Sequence, residues 1–156
     1  MRSMAVNGYT EEQVKAQLHG ATGTRLVKYR YDLINRYDIK QGELTVQDGS
    51  SITFDSEAIV KRTARFRIKE NELQDVDWLN DRIRPVFCLR MPDGGWAEWP
   101  LGVFLISSPR RTANNVTMRE IDAYDPSVIL VEDKFDNRYL IPAGTRYTAA
   151  ITKLIN

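Results

Sequence analysis

The run Ile59–Lys69, IVKRTARFRIK, sets Val60, Ala64, Phe66 and Ile68 on one side of an extended chain and Lys61, Thr63, Arg65, Arg67 and Lys69 on the other. Period-two side chains separate such a set into an apolar and a basic face, whereas a helix would scatter both around its circumference. The chain is therefore expected to build a sheet with one face buried. RLVKYRYDLI at Arg25–Ile34 repeats the pattern, with Val27, Tyr29, Tyr31 and Leu33 opposite Lys28, Arg30 and Asp32.

Further strands follow from turn chemistry. Glu43–Val46 and Ser51–Phe54 flank Asp48-Gly49 and are predicted to pair as a hairpin. Arg84–Met91 and Ala97–Ile106 flank Pro92-Asp93-Gly94-Gly95 and read as a second hairpin, with Val116–Tyr124 and Tyr139–Ile141 as later strands. Helical signals are fewer. Thr10 and Gln13 form a capping-box pair ahead of a short helix that Gly20 stops, and the thin apolar face of Val14 and Leu18 predicts a lightly packed element or an arm. Asp125-Pro126 starts a short helix near residues 126–131. Pro142–Thr145 precedes a C-terminal helix from Arg146 with Tyr147, Ala150, Ile151 and Leu154 on one stripe. The fold class is thus mainly β (α+β): an antiparallel barrel or sandwich at 25–156, preceded by an N-terminal arm or helix at 1–24. The chain ends at Asn156 with neither a C-cap glycine nor a polar tail, which predicts a fragment of a longer protein.

Charge excludes some partners. The chain has 22 Lys and Arg against 21 Asp and Glu, so no global field gathers nucleic acid or an anionic membrane. No apolar run approaches the ~18 residues that span a bilayer, and MRSMAVNGYTEE turns polar before a signal segment could develop. Lys61, Arg62, Arg65, Arg67, Lys69 and the pair Arg110-Arg111 form a basic face, read as a solvated face or a protein interface; in a ring it would line a pore through which DNA passes.

Catalytic chemistry finds no foothold. One histidine, His19, and one cysteine, Cys88, are too few for a zinc site, and the apolar setting VFCLRM predicts a buried thiol. Carboxylates at Asp75, Asp77, Asp81, Asp122, Asp125 and Asp133 make no distinctive pair, and Gly94-Gly95 followed by Trp96 is not a phosphate loop. No catalytic, cofactor or metal residue is predicted, and an enzyme is not expected. Among the large aromatics Trp78, Trp96, Trp99 and Phe104, the pair Trp96 and Trp99 would point to opposite sides of one strand, so that one of them is a candidate interface residue. Arg65 and Arg67 are the charged interface candidates.

Several ordered phrases carry a family likeness. KRTARFRI, DWLNDRIRP, EWPLGVFLISSPRR, IDAYDPSVIL and EDKFDNRYLIPAGTRYTAAI, over about residues 26–154, together resemble the N-terminal region of the phage tail hub family, the baseplate hubs and equivalent tail-tip proteins. The resemblance implies a barrel domain like that of tail-tube subunits and no catalytic residue in this region. It also implies a homotrimer that joins tail tube to tail tip in the virion, assembled in the host cytoplasm. The alternative from the residues is a carbohydrate-binding β-sandwich that stacks sugar on Trp96 or Trp99 for host recognition.

Overall fold

The computed structural model describes residues 3–20, 23–69, 76–113, 117–133 and 140–155. The chain runs α1 (Glu11–Leu18), β1 (Val27–Ile34), β2 (Lys40–Leu44), β3 (Ser51–Phe54), β4 (Arg62–Lys69), β5 (Arg82–Arg90), β6 (Trp96–Pro100), β7 (Phe104–Ala113), β8 (Thr117–Tyr124), α2 (Ser127–Glu132) and α3 (Tyr147–Ile155). All ladders are antiparallel, in the order β2-β1-β5-β7-β8-β4-β3, with β6 also paired to β5. Among the described residues the fold is mainly β with three short helices, in the α+β class.

The sheet is open rather than closed into the expected barrel. Its two ends, β2 and β3, belong to one stretch of chain, and the predicted hairpin between them does not form. β2 pairs with β1, while β3 pairs with β4. Between them Val46 makes an isolated bridge to Ile68, and Gln47 N–H donates to Arg67 O at 2.7 Å. Asp48-Gly49 therefore bulges out of a chain that keeps its direction, because Arg67 N–H is satisfied by Ser50 Oγ at 3.0 Å instead of by a strand.

A second bend lies between β6 and β7. Pro100 pairs with Val86 and Phe104 with Ile83, so four steps of chain oppose three on β5. The extra residue falls at Leu101–Val103, where Gly102 has φ +131°. One edge of β5 thereby serves β6 along Val86–Arg90 and β7 at Arg82 and Ile83, and the expected strand at Ala97–Ile106 is divided in two.

The concave face buries Leu33, Leu44, Ala64, Phe66, Ile68, Ile83, Phe104, Ile121 and Ala123. Phe66 packs edge-on to Phe104 at 6.2 Å and to Tyr31 at 5.8 Å. Ala64, Phe66 and Ile68 are buried as the alternation in β4 predicts. Ile59 is exposed and Val60 half-buried, because the strand starts only at Arg62. Leu140 and Ile141 form no strand; Asp75, Val116, Tyr139 and Asn156 lie outside the described residues.

Helix α1 packs more firmly than its thin stripe suggests. The capping box forms, with Gln13 N–H donating to Thr10 Oγ1 and Thr10 N–H to Gln13 Oε1. Val14 is 0% exposed, in a second cluster with Leu89, Met91 and Ala97. Polar contacts fix the docking: Tyr9 Oη donates to Asp93, Gln17 Nε2 to Arg90 O, and Glu98 N–H on the outer edge of β6 to Asn7 Oδ1. The bond to Asn7 takes up one donor of that edge, which would otherwise face another strand.

Candidate functional site

The four interface candidates fall into separate places. Trp96 and Trp99 are both half-buried and take opposite faces of β6, as period-two geometry requires. Trp99 joins Ala97 on the concave side, where register aligns Tyr29, Phe87 and Trp99 as a ladder with ring centroids 5.7 and 5.9 Å apart. Trp96 is on the convex side, with Lys28 Nζ 4.3 Å and the Arg90 guanidinium 5.1 Å from its ring. Arg65 and Arg67 stand on the convex face of β4, at the other end of the sheet.

The basic face is offset by β8. Register sets Asp122 beside Arg65 and Glu120 beside Arg67, with ion pairs at 3.0 and 3.4 Å. Arg110 of β7 is opposite Glu120, and Arg62 turns to the buried Asp125. The charges alternate in sign across the strands, so this surface lacks the single-sign stripe that holds a phosphate backbone.

Sequence reasoning missed the most connected charged group. Asp32 lies on the polar side of β1 yet is 1% exposed. Its carboxylate meets Arg30 Nε at 2.9 Å, Lys40 Nζ at 2.8 Å and Arg84 Nη2 at 3.3 Å. Arg30 continues to Glu98 at 2.6 Å and Lys40 to Glu43 at 2.6 Å, so one network ties β2, β1, β5 and β6. Burial pushes the Asp32 carboxyl up, but hydrogen bonds from Lys40 and Arg30 outweigh it and hold the group below the usual range. Three acids and three bases balance in charge. The available signal was the hairpin register, which brings Lys40 and Glu43 across from Ile34 and Asp32.

Cys88 is buried on β5, its thiol pushed up by burial, and His19 sits exposed at the end of α1. Asp77 accepts from Leu79 N–H and Asn80 Nδ2, Asp81 accepts from Asp77 N–H, and Asp125 accepts from Ser127 N–H. Asp133 follows α2 at its C-cap. Among the described residues no group of three or more His, Cys, Asp or Glu could hold a metal ion. No helix is long and apolar enough to cross a membrane among them.

Two surfaces remain. On the convex side of β3, β4 and β8 a shallow groove of about 360 Å³ is lined by Ser51, Thr53, Thr63, Arg65, Asp122 and Tyr124 together with Ala64. At the C-terminal end, α2 exposes Ile129, Leu130 and Val131, and α3 exposes Tyr147, Ile151 and Leu154, with Tyr147 86% accessible. The predicted stripe thus exists on α3, but of its members only Ala150 is buried. Compared with family models, curated proteins and solved structures, the chain matches none.

Proposed function

We propose that this chain is a structural component of a phage tail, a hub or tail-tip protein that joins the tail tube to the distal tip through ring-forming contacts between subunits. The observation that carries an assembly role is the apolar surface of α2 and α3. Ile129, Leu130 and Val131 on α2 and Tyr147, Ile151 and Leu154 on α3 are all exposed, and large apolar side chains clustered on short helices in this way supply the material of a subunit contact. The ordered phrases of the sequence give the tail context, and the structural contacts of Asp32, Asp77, Asp81, Asp122 and Asp125, with the burial of the Cys88 thiol, fit a role without catalysis. Trp96, covered by Lys28 of β1 and Arg90 of β5, and Trp99, packed against Phe87, are anchors of the hairpin, which gives little support to a sugar platform on either ring. Native mass spectrometry of purified tails tests the proposal. Three copies per tail are expected, and one or six would reject the hub assignment.

A further inference from the structure

Strand register builds a two-row polar platform on the convex face of β3, β4 and β8. Ser51 and Asp122 flank Arg65 along one row, and Thr53 and Tyr124 flank Thr63 along the next. At ~4.8 Å between strands and ~3.4 Å per residue, the platform measures about 10 by 7 Å, room for about two hexopyranose rings. Among the described residues the hydrogen bond inside this patch is Arg65 Nε to Asp122 Oδ1 at 3.0 Å. The terminal guanidinium nitrogens, the second carboxylate oxygen and the four hydroxyls are left to a ligand or to water.

We infer that this groove binds a neutral saccharide, independently of the role in assembly. Arg65 and Asp122 cancel in charge, so phosphate or sulfate gains no net attraction, and the polar lining gives an aliphatic ligand no dry pocket. Hydroxyl groups both donate and accept, as the four hydroxyls lining the groove do. A guanidinium beside a carboxylate offers a donor and an acceptor side by side, which matches two neighbouring hydroxyls on one sugar ring. The Tyr124 ring and the threonine methyls supply the apolar patch on which the C–H face of a pyranose rests.

The test is a titration of the ¹⁵N-labelled chain with maltotriose, cellotriose and chitotriose, followed by amide shifts. At least one is expected to bind with a Kd of about 1 mM, moving the amides of residues 51–53, 63–65 and 122–124. Arg65→Ala is expected to weaken that binding about tenfold or more. Thr63→Val, which removes one hydroxyl and keeps the shape, is expected to weaken it in the same direction. Thermal melts of both variants confirm that the fold is retained. The inference is overturned if none of the three sugars moves these amides, if the shifts centre on Trp96 or Trp99, if Arg65→Ala binds as the parent does, or if dextran sulfate binds this face more tightly than the neutral sugars.

Discussion

Asp32 stands where alternation would put a solvent-facing charge, yet neighbouring strands close over it and three cations replace the water. Removing its charge leaves Arg30, Lys40 and Arg84 without their common partner. Asp32→Asn is expected to lose about 2–3 kcal/mol at neutral pH, somewhat below a fully buried pair because the cations are partly solvated. The sign of the pH dependence follows from a carboxyl held below its ordinary value. The contribution is complete above about pH 4, the unfolded value, and is lost as pH falls through the lower folded value. Urea unfolding of both proteins between neutral and acidic pH should therefore show their difference shrinking in acid. A difference that is constant with pH would show that Asp32 acts by packing alone.

At the scale of elements, the turn at Pro92–Gly95 was enough to find the hairpin of β5 and β6, and alternation was enough to find β1 and β4. It could not tell a turn from a bulge at Asp48-Gly49. Gly49, with φ +86°, suits either, and what decides is the distant Arg67 N–H and its bond to Ser50. The platform on β3, β4 and β8 was illegible for the same reason: Ser51, Arg65 and Asp122 become neighbours only through ladder pairings. Docking of α1 was hidden because Val14 finds its partners on the far hairpin, at Leu89, Met91 and Ala97. Val14→Asp is expected to release α1, costing about 3 kcal/mol by burying an unpaired charge or undocking the helix, with faster hydrogen exchange over residues 11–18. Unchanged exchange there would show that the polar contacts of Tyr9 and Gln17 suffice. The bend after β6 gives a sharper test. A Cβ at Gly102 would lie 2.6 Å from Arg62 Nη1 on a backbone that side chains rarely adopt, whereas at Gly42 it meets nothing within 4 Å. Gly102→Ala is expected to cost about 1–3 kcal/mol, and Gly42→Ala less than about 0.5 kcal/mol, as read by chemical denaturation. Equal effects would remove the bend as the reason for glycine.

For the molecule as a whole, the assembly proposal separates surface from core. Ile151 on α3 is exposed, so Ile151→Glu is expected to leave the melting temperature within about 2 °C of the parent, while blocking incorporation into tails. Normal particles from this variant would show that α3 is not at a subunit contact. The open order of the sheet also governs how fast the chain reaches it. The hairpin of β5 and β6 is local and can form within about 10 μs. The ladders that bring β1 to β5 and β4 to β8 pair Tyr29 with Phe87 and Phe66 with Ile121, each closing a loop of roughly 55 residues before any contact rewards the lost entropy. Refolding is thus limited by long-range closure and belongs on the scale of milliseconds to seconds. During that interval both rims, β2 and β3, are unprotected at once. Because one segment, Lys40–Phe54, supplies both, the pinning of Val46 against Ile68 sets the places of the two rims in a single event.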